Sequence, residues 1–447
     1  MTTPRIRVLA TAFAAVPGSS PHGASLLSMV DALRAEMDLV TLKTEDLSHI
    51  KRIGDARMFR VPVGTVAVGE QRDIFARAVA RQLEAEDYQV VHVLDPWSGK
   101  IAAERVDRGF SLVYEVATLP SSEGDELETW LPAHRLTLSR ATRILVSTNA
   151  SARALEARGF SGRIEVVRPG VDVGAYDHLE MPPLGVPRLL YLGELTPDRD
   201  LLTVLDALAR VSEHRPVRAL FAGERRRERR AAFRKEVEKR RLSAGVDVRG
   251  EPNPRAIPGL IAASDVCLAP ASNQSVDGVV MLPQPLLEYA ACLRPVLAAH
   301  VPGVPEVIRD DVEGLLYPPG DAGALADAIL EVLRDSVLRE RVTQAGYQRT
   351  REELSAGARR RRIRRVYEDL IPGSQAEDPW EANFEATGLI ELSTSALEAL
   401  QEQVEPERKA ASVPPPPPPG NVTLAQPNVL DTQPGLRLPD TDPGQRS

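Results

Sequence analysis

Residues Pro283–Glu306 read PQPLLEYAACLRPVLAAHVPGVPE. One carboxylate, Glu288, interrupts an otherwise apolar, helix-forming run. A turn at Leu293, Arg294 and Pro295 leads into a short apolar strand, Val296–Ala299. Gly303 follows, and Glu306 stands at the head of another apolar segment, where a second helix is expected. Helix with acid, strand, then glycine loop opening a helix is one way α/β proteins hold a sugar nucleotide. The acid accepts hydrogen bonds from ribose hydroxyls, and the helix N-terminus offers free N–H groups to a phosphate. The neighbours Leu286, Leu287, Tyr289 and Ala290 are apolar, which places Glu288 at a cleft edge rather than on an open helix face.

Outward from this stretch, apolar strand-like runs alternate with amphipathic helical patterns from residue 5 to about 370. That alternation implies parallel sheets with crossover helices. Strands are expected at Arg7–Ala10, Leu39–Leu42, Val90–Leu94, Leu112–Glu115, Arg143–Ser147 and Ile164–Val167, with helices at Leu26–Glu36, Arg72–Glu86, Trp130–Ala141 and Ser151–Arg158. The Pro- and Gly-rich segment PGVDVGAYDHLEMPPLGVP then reads as a linker. A second alternation starts at Arg188–Leu192, has a helix at Leu201–Val211, and continues with strands at Val217–Ala222, Val246–Arg249, Val266–Ala269 and Pro295–Ala299. A helix pair covers Gly320–Leu354 and a further helix runs to about Leu370. The expected organisation is an α/β chain of two Rossmann-type, doubly wound domains, 1–180 and 181–370, facing across a cleft. A helical segment at 371–405 and a disordered proline-rich tail at 406–447 follow, the tail carrying six consecutive prolines at Pro414–Pro419.

Composition narrows the partners. The 447 residues carry a net charge of −8, which argues against a nucleic-acid partner. The two cysteines, Cys267 and Cys292, both fall in apolar runs and have no metal-ligand spacing, so they read as reduced core thiols of a cytoplasmic protein. The basic-then-apolar start MTTPRIRVLATAFAAV is short and leads into the loop PGSSPHGAS, so it reads as a first strand rather than a signal peptide. The basic run Glu224–Arg241 has two readings. One is a peripheral contact with the inner face of an anionic membrane; the other, favoured by its thin apolar content, is a solvated helix face laced with ion pairs.

Several ordered pieces resemble the retaining GT-B glycosyltransferases of class four, over most of residues 5–370. The donor motif of that family is an acid, seven residues, a second acid, then EYxAxGxPVxAxxxxGxxE. Here Glu288 matches the second acid and Val280 stands at the first. IEVVRPGVD (Ile164–Asp172) is similar to the family's vvpNGVD. RLLYLGELTPDRDLLTVLDAL is similar to ylGRLxxxKGld, and VPGVPEVIRDDVEGLLYPPGDAGALADAI to GvpEvixdgxxGllvppgD.

The resemblance implies a GT-B fold and transfer of a sugar from a nucleoside diphosphate sugar to a glycan, lipid-linked or small-molecule acceptor, with no metal and no cofactor beyond the donor. It implies that Glu288 holds the donor ribose beside Leu287. Arg199, at the family's lysine, and the Gly303 loop with Glu306 would meet the diphosphate. Gly23, in the loop before the first helix, would approach the donor phosphate and acceptor, with His92 on the acceptor side. Glu194, Ala117 and Pro285 replace the family's usual arginine, histidine or arginine, and lysine. Those departures, with Val280, keep a second reading open: a degenerate GT-B protein that binds a sugar nucleotide or a partner without turnover, recruited through its proline-rich tail. Each candidate also has a structural reading: a turn for Gly303, a dipole-facing acid for Glu306 and an exposed turn for Arg199.

Overall fold

The computed structural model describes residues 7–16, 25–26, 29–30, 36–44, 47–53, 56–117, 119, 126–176, 185–196, 199–272, 275–276, 279–283 and 285–371. The expected helical segment beyond Ile371 and the proline-rich tail lie outside them, as does Gly23.

The first domain holds strands β1 (Arg7–Ala15), β2 (Glu36–Leu42), β3 (Ile50–Ile53), β4 (Ala56–Val61), β5 (Val90–Val93), β6 (Ser111–Glu115), β7 (Arg143–Val146) and β8 (Ile164–Val166). Helices α1 (Val68–Ala85), α2 (Pro96–Ala103), α3 (Glu126–Arg140) and α4 (Asn149–Leu155) connect them. The strands lie in the order β3-β4-β2-β1-β5-β6-β7-β8, and only β3 and β4 pair antiparallel. From β1 the chain moves outward to β2 on one side and returns to β5 on the other, so the switch point of the sheet lies between β1 and β5. The central strands are apolar on both faces because helices cover both; all four residues of β5 are buried. Strands β3 and β4 extend the sheet beyond the expected set. Residues Ala56–Val61 alternate buried and half-buried, a period-two signal, whereas β3 is an exposed edge with no such mark.

The second domain runs β9 (Arg188–Leu192), α5 (Leu201–His214), β10 (Arg218–Ala222), α6 (Arg227–Lys239), β11 (Val246–Val248), α7 (Ile257–Ala262), β12 (Val266–Ala269), α8 (Leu286–Ala291), β13 (Val296–Ala299), β14 (Leu315–Tyr317), α9 (Ala322–Arg334), α10 (Ser336–Glu353) and α11 (Ala356–Leu370). Its sheet is wholly parallel among the described strands, ordered β11-β10-β9-β12-β13-β14. Helix α5 buries Leu201, Val204, Leu205, Leu208 and Val211, the helical period read in the sequence. Asp200 before it sits at φ 53, at the glycine of the family's KG pair. Two hydrogen bonds hold it there: Thr203 Oγ1 donates to Oδ1 at 2.6 Å, and Gly320 N donates to Oδ2 at 2.8 Å.

Two expectations need correction. The helix expected from Glu306 is a single turn, Val304–Glu306; Asp311, at φ 57, then turns the chain toward β14. Glu36 opens β2 rather than closing the first helix. Helix α11 returns to the first domain: Ile363, Val366 and Tyr367 are buried in its core with Val8, Leu26 and Val90. Where the chain passes between domains, its two crossings bond to each other. Val171 N donates to Leu354 O at 3.0 Å and Ala356 N to Val171 O at 2.8 Å. Gly170 permits this approach, since a Cβ there would lie 2.8 Å from Ser355 O.

Candidate active site

A cavity of about 280 Å³ opens between the two domains. The carboxyl ends of β6, β7 and β8 give it Glu115, Ala117, Ser147 and Pro169, and the linker adds Asp172 and Tyr176. The second domain supplies Leu286, Leu287 and Glu288 from the start of α8, and α11 supplies Arg359. Clefts at strand carboxyl ends are where open α/β sheets bind ligands.

Helix α8 is fixed from beneath, because Leu192 N at the end of β9 donates to Tyr289 Oη at 2.9 Å. That contact turns Tyr289 into the core and leaves Glu288 facing the cavity. Among the described residues, the Glu288 carboxylate makes no hydrogen bond and no ion pair. Desolvation is therefore the sole cause of its altered proton affinity, pushing its pKa up to about 7.

Glu115, on the opposite wall, is the reverse case. Arg359 Nη2 donates to Oε1 at 2.8 Å and to Oε2 at 2.7 Å, and Ser25 Oγ donates to Oε1 at 3.3 Å. His92 Nε2 lies 3.3 Å from Oε2, while its Nδ1 lies 2.7 Å from Tyr367 Oη. The tautomer protonated on Nε2 suits both neighbours: Tyr367 donates to Nδ1, and Nε2–H faces the Glu115 carboxylate without an aligned hydrogen bond. Burial opposes the charge on Glu115, but Arg359 and His92 outweigh it and bring the pKa down to about 2. Burial pushes the His92 pKa below its ordinary value, so the ring is neutral at pH 7.

Below the cavity, the loop after β13 is docked onto the first domain. Glu306 accepts hydrogen bonds from Asn149 N (2.7 Å), Asn149 Nδ2 (2.8 Å) and Ala150 N (3.0 Å), and Arg168 Nη2 lies 3.4 Å away. Its carboxylate thus satisfies free N–H groups at the start of α4. Gly303, at φ 93, comes so close to Thr148 that a Cβ would lie 2.5 Å from Cγ2. Ser151 Oγ accepts from Val280 N at 3.0 Å and donates to Val280 O at 3.2 Å. Val280, at the family's first acid, is thus part of a domain contact.

The sequence of this chain matches known proteins at both domains. Residues 181–349 match the family described as glycosyl transferases group 1, and residues 18–170 match the glycosyl transferase 4-like domain. Over 372 residues the chain is 30% identical to a phosphatidyl-myo-inositol mannosyltransferase of Mycobacterium leprae, covering 79% of this chain and 94% of that protein. The chain belongs to the group 1 glycosyltransferases. A D-inositol 3-phosphate glycosyltransferase of Nocardioides sp. is 28% identical over 321 residues, 62% of this chain and 67% of that one. Among solved structures, the sucrose-phosphate synthase of Thermosynechococcus elongatus superposes with a TM-score of 0.69 at 19% identity, covering 82% of this chain and 99% of that one. Anabaena HepE with UDP-glucose gives 0.64 at 16% identity, covering 82% and 100%. These likenesses establish the GT-B fold.

Within this glycosyltransferase, the structure brings Glu288 and Leu287 to the cavity and keeps Gly303, Glu306, Arg199 and His92 out of its lining. His92 needs correction as an acceptor-side contact: its ring is wholly buried and both nitrogens face protein partners, so it acts behind Glu115. Arg199 lies in the turn before α5, where its N–H donates to Thr196 O at 3.1 Å. Asp95, at the end of β5, caps α2, accepting from Ser98 N at 2.8 Å and Phe13 N at 2.9 Å. Cations of the basic run meet protein partners: Arg234 of α6 donates to Val248 O at 2.6 Å, and Arg240, just past the helix, pairs with Asp206 at 2.6 Å. Among the described residues, no helix is long and apolar enough to cross a membrane. Cys267 and Cys292 are buried and unbridged.

Sequence reasoning missed Glu115 and Arg359. Glu115 carried a signal, a charge closing an apolar strand. Arg359 sits in a run of four arginines, and only helical phase, with Ile363, Val366 and Tyr367 on the same buried face, separates it from the others.

Proposed function

We propose that this glycosyltransferase moves a sugar, with retention of configuration and without a metal ion, from a nucleoside diphosphate sugar to a hydroxyl of a glycan, lipid-linked or small-molecule acceptor. The observation that carries the reading is Glu288: a half-buried carboxylate with no donor among the described residues, facing the interdomain cavity. Paired ribose hydroxyls supply the donors it lacks, and ligand binding then favours its ionised form. The bond from sugar C1 to the diphosphate breaks, C1 joins the acceptor oxygen on the same face, and the acceptor proton passes to the leaving diphosphate. Glu115 is unsuited to serve as base or nucleophile, because its oxygens already accept three hydrogen bonds, from Arg359 and Ser25, and its pKa is about 2. The gain comes from orientation and from stabilising the leaving diphosphate, a role for which the family resemblance nominates Arg199 and the Gly303 loop. The relatives' names point to cyclitol headgroups as the first acceptors to try.

A second reading, binding without turnover, draws on the docked donor loop: Val280 on Ser151, Gly303 on Thr148 and Glu306 on α4. One experiment separates the two. The purified chain is incubated with UDP-, GDP- and ADP-sugars, and both thermal protection and donor cleavage are followed. Protection with cleavage, lost in Glu288→Ala, supports transfer. Protection without cleavage supports the binding reading, and neither response to any donor removes both.

A further inference from the structure

A continuous set of contacts runs from the second domain, through the crossing segments, to the cavity wall. Glu306 holds Arg168 at 3.4 Å. The Arg168 carbonyl accepts from Arg359 Nη1 at 3.5 Å, and Arg359 Nη2 grips both oxygens of Glu115 at 2.8 and 2.7 Å. Behind Glu115, His92 connects to Tyr367, which lies on α11 eight residues beyond Arg359. The base of α11 is tied to the linker by the paired crossings at Val171 and Leu354–Ala356, and a Cβ on Gly170 would lie 2.9 Å from Arg359 Cβ. Arg359 is fully buried, and Glu115 supplies the countercharge that offsets the cost of burying its guanidinium.

We propose that Arg359 is a positioning residue that couples the interdomain hinge to the cavity wall. By holding the linker carbonyl and the Glu115 carboxylate with one guanidinium, it makes residues 113–117 and 168–172 move as one piece. Opening or closing the hinge then carries the acceptor-side wall with it. A planar, forked donor suits this task, because two nitrogens at fixed separation serve two acceptors, which a single ammonium cannot do. The acceptor-side role rests on the transfer reading above; the coupling itself does not.

The test is hydrogen exchange on the full chain, comparing wild type with R359K and R359M. Local coupling predicts that exchange rises about tenfold or more at 113–117 and 168–172 in R359M, with little change in the second-domain sheet, and that R359K is intermediate. If R359M does not fold, the intermediate local pattern in R359K carries the decision. A rise spread equally over both sheets, or none at the two segments, would overturn the proposal. In parallel, R359K is assayed for thermal protection by nucleoside diphosphate sugars and for transfer. Protection stays within about twofold of wild type, since Glu288 is untouched, while transfer falls by about tenfold. Unchanged transfer alongside raised local exchange would refute the positioning role. If wild type itself responds to no nucleotide sugar, the transfer reading fails, and the exchange pattern still decides for or against the coupling.

Discussion

Glu115 and Glu288 line one cavity from opposite domains. Glu115 closes a strand and accepts from Arg359 and Ser25 with His92 beside it, and its pKa is about 2. Glu288 lies in the first turn of a short helix with no donor from the described protein, and its pKa is about 7. The same functional group is structural in one wall and unsatisfied in the other. Desolvation acts on both, and only the supply of donors decides the sign of the net shift. A half-buried acid without a partner among the described residues is a stronger pointer to ligand than one merely present in a cleft, because a bound donor offsets its desolvation.

The largest expected effect attacks the structural acid. Glu115→Ala leaves the Arg359 guanidinium buried without its partner and should cost about 3–5 kcal/mol at pH 7. Urea unfolding measures it, and a loss under about 1 kcal/mol would mean that the pair is not holding the wall. Because the folded pKa of Glu115 is depressed, its contribution is present above the unfolded carboxylate range and fades as pH falls through about 2.

Glu288 should respond in the opposite sense. Between about pH 4.5 and 7 the folded chain holds a proton here that the unfolded chain has released, so stability falls as pH rises across that window. The raised pKa corresponds to a penalty of about 3 kcal/mol above pH 7. Glu288→Gln therefore unfolds at higher urea than wild type at pH 8 and at the same urea at pH 4. Absence of a gain at pH 8 would show that Glu288 already has a partner.

The docked donor loop yields smaller effects. Gly303→Ala combines an unfavourable φ with a clash on Thr148 and should cost about 2 kcal/mol. Adding Thr148→Ser removes the clashing methyl group but keeps the hydroxyl that caps α4, so the double variant recovers the steric share and leaves the backbone strain. Smallest is Glu306→Gln, at about 1 kcal/mol, because the amide oxygen still accepts from α4 while the charge facing Arg168 is lost. Thermal unfolding of the four proteins ranks these effects.

Much of this architecture is legible in the sequence because parallel strands buried on both faces leave unbroken apolar runs, and α5 and α9 show their buried stripe directly. Glu288 is legible for the same reason, as one charge inside an apolar helix. The edge strand β3, with three exposed residues of four, leaves no pattern. The docking of Glu306, Gly303 and Val280 on Thr148–Ser151 joins positions more than a hundred residues apart, and each side reads locally as an ordinary cap or turn. His92 lies behind Glu115 rather than on the acceptor side, because a strand end marks nearness to a ligand crevice and not the direction of the side chain.

The claim that Glu288 awaits a ligand is tested most directly by its own titration. In protein labelled with carbon-13 at the glutamate carboxyl and assigned with Glu288→Gln, the resonance should titrate with a midpoint near 7 in the free chain. A bound nucleoside diphosphate sugar should lower that midpoint as ribose hydroxyls donate to the carboxylate. A midpoint in the ordinary carboxylate range, unmoved by any nucleotide sugar, would contradict the account.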